Sequence, residues 1–187
     1  ISAIRGIRTN NSLAHQYTNM YNQCLVLLVS HFTLTMEEIF SCGLREMYMT
    51  NSLPKNDRSK VQFTDDEVSK ISRNPAALKD ILIAKKKLSF QNMNNVVRSF
   101  ENYLGMQINR DAKFSDVQFA FECRHLIVHS LGKVDDKFIK NCNSLRDRSI
   151  KRIVGLNDQI KYSKSELGFI KIAMLLFIQE LIDGMTN

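Results

Sequence analysis

The chain has 187 residues, 44% of them hydrophobic and 24% charged; this excludes intrinsic disorder and low-complexity fibre and supplies enough apolar material for a core. Its net charge of +7 favours polyanionic partners, because cations that neutralise phosphates release counterions. The densest basic groups, Lys85-Lys86-Lys87 and the cluster Arg146, Arg148, Lys151 and Arg152, each read as a solvated face, and the four cysteines at 24, 42, 123 and 142 form no CxxC pair and fit no zinc framework.

With only two prolines and seven glycines, and apolar residues recurring at helical spacing, the chain is expected to be all-α. The expectation is one domain over residues 1–187, a bundle of four to five main helices with a short irregular segment before the last. The start at Ile1, without an initiator Met, leaves room for the chain to be a piece of a longer protein. From about Ser12 to Tyr48 the pattern predicts one long helix, or two joined by a kink. Its middle, 24-CLVLLV-29, is apolar all round and should lie deep in the core, followed by a stripe of Phe32, Met36, Ile39, Phe40, Leu44 and Met47. Cys24 and Cys123, both in apolar runs, are expected to be buried free thiols.

Residues 50-TNSLPKNDRSKVQ-62 read as a loop. Thr64 to Glu67 has capping-box spacing and starts a short helix. Asn74-Pro75 starts another, with Asn as N-cap and Pro at the first helical position. Ser89 can cap 90-FQNMNNVVRSFENYL-104, which stops at Gly105. Ser115-Asp116 opens the next helix, with Val117, Phe119, Ala120, Cys123, Ile127 and Leu131 as its buried stripe and Gly132 to end it. A short helix follows from Asp135 to about Cys142. Residues 143–162 are charged and irregular, with a candidate extended segment at 152-RIVGL-156. Ser163 to Glu166 is a second capping-box spacing. It opens a final helix to about Gly184 with Phe169, Ile172, Leu175, Leu176, Ile178, Leu181 and Ile182 as core. No signal-peptide pattern opens the chain. The best membrane candidate, Leu167 to Ile182, carries charges and is too short to span. The expected compartment is the reducing cytoplasm.

Chemistry concentrates in 124-RHLIVHSLGKVD-135, which holds two of the four histidines. On a helix, His125 and His129 project from nearly one side, whereas Arg124 and His129 are about 140° apart. Leu126, Ile127 and Val128 would fill the other directions and anchor the helix, and Gly132 would let the chain turn beyond the site. Arginine carries a permanent, planar charge that matches phosphate, and histidine can give or take a proton near neutral pH. Together they suit RNA cleavage by internal attack of the 2′-hydroxyl, which requires no metal. The same residues also fit a helix surface near a C-terminus, where the dipole welcomes cations. His-x3-His is also good zinc spacing, although no glutamate follows the first His and no third ligand is evident. Ser130 lacks nucleophile-elbow glycines, and no Gly-rich phosphate loop occurs.

Arg124, a polar residue at 125, a hydrophobic trio and His129 resemble the R-x4–6-H motif of HEPN domains. The whole run looks like the R-N/H-x-I-V-H-x-x-G-x-V-D form of several HEPN groups. Many members carry Asn or Asp where this chain has His125. The order of elements is similar too: a long apolar first helix, a helix ending in Phe-Glu-x-Tyr-Leu at 100–104, the motif helix, a loop and a closing apolar helix. The resemblance implies an all-helical fold and a metal-independent endoribonuclease of abortive-infection or toxin type, without cofactor. By position, Arg124 would hold the scissile phosphate and His129 would be the acid or base. His125 would help orient the site, and Lys133, by its charge, would add phosphate affinity. It further implies a homodimer whose motif helices meet, RNA as substrate, and a silencing partner such as a minimal nucleotidyltransferase antitoxin. Some relatives of this type are non-catalytic dimerisation or assembly modules of defence proteins, and a basic nucleic-acid-binding module is the third reading.

Overall fold

The computed structural model describes residues 11–52, 61–145, 148–150 and 155–186. These residues form seven α-helices and no strand, an all-α helical bundle: α1 (Asn11–Met49), α2 (Asp65–Arg73), α3 (Ala77–Lys86), α4 (Met93–Tyr103), α5 (Ala112–Ser130), α6 (Asp136–Asn143) and α7 (Lys164–Thr186). All seven helical segments expected from the sequence are present, three of them short. The chain divides into two compact units, one of residues 1–31 and 110–177 and one of residues 32–109 and 178–187.

Several starts follow the expected chemistry. Thr64 and Glu67 form a reciprocal capping box at α2, and Ser163 and Glu166 do the same before α7. Three starts differ. Asn92, not Ser89, caps α4 through its bond from the Asn94 amide, because Phe90 is drawn into the core ahead of the helix. Asp111, not Ser115, caps α5 by accepting from the Phe114 amide at 3.1 Å. The helix therefore begins a turn earlier, and Ser115 and Asp116 lie buried inside it. At α3, Ala76 rather than Asn74 is the N-cap and Pro75 lies before the helix rather than at its first position, because the Asn74 carboxamide accepts from the Ala76 amide in the turn that closes α2.

In the unit built on residues 32–109, Phe40 is the hub. Its ring lies 5.3 Å from Phe90, 5.6 Å from Phe100 and 6.3 Å from Tyr103. Met36, Leu44, Leu82, Met93 and Val97 close the core around it. Lys79 pairs with Glu37 at 3.2 Å, and this contact raises the lysine pKa. The run Lys85-Lys86-Lys87 is not a plain cationic face, since Lys85 pairs with Glu67 at 2.8 Å and lies over the Phe63 ring.

In the other unit, α5 is the axis, with Val117, Ala120, Cys123 and Leu126 almost fully buried. Phe114 meets Phe177 of α7, and Phe119 meets Phe138 of α6. Asn22 of α1 is buried with its amide satisfied: it donates to the Ile160 carbonyl and accepts from the Tyr162 amide. Arg148 does not join a solvated basic face. Its guanidinium stacks 4.8 Å from the Phe119 ring and donates to the Cys142 carbonyl. Arg146, Lys151 and Arg152, and residues 152–154 of the expected extended segment, lie outside the described residues, while Gly155 and Leu156 are irregular.

Burial corrects three apolar readings. In 24-CLVLLV-29 only Leu25 and Val29 are buried; Cys24 is exposed and Leu27 is 59% exposed. On α7 the buried side is Ile170, Ala173, Met174, Phe177 and Leu181, whereas Phe169, Ile172, Leu175, Leu176 and Ile182 face outward. Leu131 is 84% exposed. In the first two cases an all-round apolar run met a core that reaches it from one side only, so helix geometry turned half of it outward; Leu131 is the left-handed cap just past the end of α5. By length and composition, the stretch Asn19–Met49 of α1 is apolar enough to cross a membrane, holding an 18-residue window of mean hydropathy 1.4. This replaces Leu167 to Ile182 as the strongest such candidate, yet its Phe32, Met36, Phe40 and Leu44 face lies in the protein core.

Candidate functional site at the end of the motif helix

The motif occupies the last two turns of α5. Leu126 and Ile127 are buried and fix the helix, as expected of them. Val128 is not an anchor: it is 45% exposed. At 100° per residue, Arg124, Val128, His125 and His129 follow one another around a single arc of about 140°. Arg124 is half-buried, and His125 and His129 are exposed. The two imidazoles touch, with ring centroids 4.4 Å apart and planes tilted by 46°. No such contact joins Arg124 to His129. Among the described residues, the side chains of Arg124, His125, His129 and Lys133 carry no hydrogen bond or ion pair. These side chains are therefore open to a ligand.

The helix ends immediately after His129. Leu131 adopts φ 52° and ψ 28°, and Gly132 follows at φ 79°. Two successive left-handed residues swing the chain away from the helix axis and leave the last turn open. The turn is buttressed from residues 155–160. Gln159 donates to the Leu131 carbonyl, Ile160 donates to the Gly132 carbonyl at 2.8 Å, and Val134 and residues 157–158 exchange two backbone bonds. Lys133 bridges to Gln159 through the backbone while its side chain stays exposed. Gly132 suits this turn because its φ of 79° is one that L side chains rarely adopt, and a Cβ would also lie 2.9 Å from the flexible end of the Gln159 side chain. Sequence reasoning missed Gln159, because a contact spanning 28 residues has no local signature.

Beneath the motif, Glu122 accepts from the Asn141 amide at 2.8 Å and ties α5 to α6. Asp116 accepts from the Ser149 amide at 2.7 Å, so this buried carboxylate holds the returning chain rather than a ligand. Burial pushes the Cys142 thiol up to about 12, with Arg148 acting in the opposite direction. Cys123 is fully buried and packs as expected.

Electrostatically, the C-terminal end of a helix repels anions through its free carbonyls. A phosphate bound there would need the charges of Arg124 and Lys133 to outweigh that dipole. Among the described residues, no group of three His, Cys, Asp or Glu side chains is placed to share a metal ion. The zinc reading thus lacks a third ligand there. A cavity of about 350 Å³ in the other unit is lined by Met47, Leu104, Met106 and Met185 with Cys42 and Gly43; it contains no motif residue. No protein-family model, no curated protein and no solved structure matches the chain.

Proposed function

We propose that the chain is a metal-independent endoribonuclease of a toxin–antitoxin or antiviral defence system, acting in the cytoplasm as a homodimer. The observation that carries this reading is the arc of Arg124, His125 and His129: exposed or half-buried, with the two imidazoles touching each other, and mounted on a helix locked by Leu126 and Ile127. In the proposed reaction the 2′-hydroxyl of RNA attacks the adjacent phosphorus and gives up its proton, and the 5′-oxygen leaves with a proton. The products are a 2′,3′-cyclic phosphate and a 5′-hydroxyl. His129 serves as acid or base, and Arg124 neutralises the charge that builds on the phosphoryl oxygens. Since Arg124 and His129 lie about 140° apart on one helix, the site is composite, with each Arg124 working beside the His129 of the other copy. His125 supports His129 by ring contact, and Lys133 adds phosphate attraction. A minimal nucleotidyltransferase antitoxin is the expected silencing partner.

A second reading, a non-catalytic assembly or nucleic-acid-binding module, draws on the apolar surface of α7. One experiment separates the two. Purified protein is incubated with total RNA in EDTA beside Arg124→Ala and His129→Ala. The expected result is cleavage by the wild type to cyclic-phosphate ends, with each variant slower by about 10² to 10⁴. Intact RNA in every lane, from folded protein, would favour the assembly module.

A further inference from the structure

The cavity in the unit of residues 32–109 and 178–187 takes no part in the proposed reaction. It holds about 350 Å³ and is walled by three separate stretches: α1, the turn after α4 and the end of α7. Leu104 is its buried floor, Met47, Met106 and Met185 are half-buried walls, and Cys42 and Arg45 stand exposed at the mouth. Two glycines keep it open. A Cβ at Gly43 would lie 2.9 Å from a Leu104 methyl and 3.1 Å from the Met185 sulfur, and one at Gly184 would lie 3.1 Å from the Met106 methyl. Side chains at either position would press the walls into the space. Protein interiors hold few voids larger than a water molecule, and a concave, mostly apolar space of this size with a few polar groups at its edge has the form of a small-molecule site.

We infer that this cavity binds a small planar aromatic acid, its ring among the methionines and its carboxylate on Arg45. Three arguments select this ligand. The first is size. At the packing density of protein interiors, about 0.74, the space is filled by roughly a dozen non-hydrogen atoms. The second is the walls. Three of them are methionine, whose sulfur is favoured about 5 Å from an aromatic ring and whose three rotatable bonds let it close on a flat face. An acyl chain of the same size fits less well, because it loses more rotamer freedom on binding and gains no directional contact from sulfur. The third is charge. Arg45 and Glu46 both stand at the mouth, and among the described residues neither side chain carries a hydrogen bond or ion pair. The net charge of +7 biases the surface toward anions, and the planar arginine fork matches a carboxylate with two parallel hydrogen bonds.

The site shares no residue with the motif, so the inference stands whether or not the chain cleaves RNA. The probe is 1-naphthoate, titrated into the whole chain and followed by calorimetry. The expected dissociation constant is about 0.1 mM or tighter. Gly184→Phe sets a ring in the cavity while replacing a helical glycine, which favours the helix; circular dichroism checks the fold, and binding is expected to weaken at least about 10-fold. Gly168→Phe, on the same helix where a Cβ meets nothing within 4 Å, is expected to bind as the wild type does. Arg45→Gln is expected to weaken binding about 10-fold. A readout that needs no variant is the thiol at the mouth: bound naphthoate is expected to slow iodoacetamide labelling of Cys42 and to leave Cys24 unchanged. No binding at about 1 mM probe would overturn the inference. So would binding that Gly184→Phe leaves intact, which would move the ring to another apolar surface such as the exposed side of α7. Tighter binding of 1-naphthylmethylammonium would also overturn it, by assigning the mouth to Glu46 and a cation.

Discussion

Gly132 is the residue on which the open end of the motif helix depends. Its φ of 79° lies where an L side chain is strained, and a Cβ there would press on the Gln159 amide 2.9 Å away. Leu131 already occupies a left-handed conformation without being glycine, so the turn has little room for a second penalty. Gly132→Ala is expected to lower stability by about 1–3 kcal/mol, read as a fall in the urea midpoint with unchanged slope. It is also expected to weaken any activity of the motif, because Gln159 and the chain it anchors would be displaced. At the same scale, Val128 changes the meaning of the motif's hydrophobic trio. Two of the three, Leu126 and Ile127, hold the helix. The third sits between the arginine and the histidines and presents a small apolar surface to whatever binds them.

At the scale of elements, the helix starts are set by local side-chain chemistry and are testable by single changes. Before α7, the Ser163 hydroxyl accepts from the Glu166 amide and Glu166 accepts from the Ser163 amide. Ser163→Ala removes one of these partners and is expected to cost about 1 kcal/mol, measured as a reduced thermal midpoint, while Ser163→Asp should recover most of the loss. Two of the starts that sequence pattern misjudged, those of α4 and α5, share a feature. Two polar candidates stood a few residues apart, Ser89 against Asn92 and Asp111 against Ser115. The winner was the one whose choice buried the neighbouring aromatic, Phe90 or Phe114. Capping contributes about 1 kcal/mol, whereas burying a phenylalanine contributes about 1.5–3 kcal/mol, so packing decides the register between near-equal caps.

At the scale of the molecule, the thiols report on which surfaces are closed. Cys24 and Cys42 are exposed, and Cys123 and Cys142 are buried. Burial holds the Cys142 thiol at about 12, and only the thiolate reacts with alkylating reagents. The expected outcome of iodoacetamide labelling near pH 8, followed by mass spectrometry, is rapid modification at Cys24 and Cys42. Cys123 and Cys142 should label only after denaturation. Rapid native labelling at Cys142 would show that the packing of α5 against α6 opens readily. Protection of Cys24 would show that its side of α1 is covered in solution.

The all-α class, the seven helical segments, two capping boxes and the motif's place at a helix C-terminus were legible in the sequence, because each follows from spacing within a few residues. Helical periodicity and Ser/Thr-x-x-Glu pairs are local facts. So is a glycine just past the last apolar residue. Which apolar residues are core was not legible. Leu25 and Leu27, or Met174 and Leu175, are chemically alike, and only the direction from which other helices arrive separates them. The same holds for Asn22, satisfied by backbone groups 138 and 140 residues away, and for Gln159 against Leu131. Arg124 and the histidines were visible as a motif, and the fold added that they share one exposed arc with Val128. The local sequence determined the helices and the chemistry they carry; tertiary packing decided which faces remain open, because burial is a property of neighbours that the chain brings together only on folding.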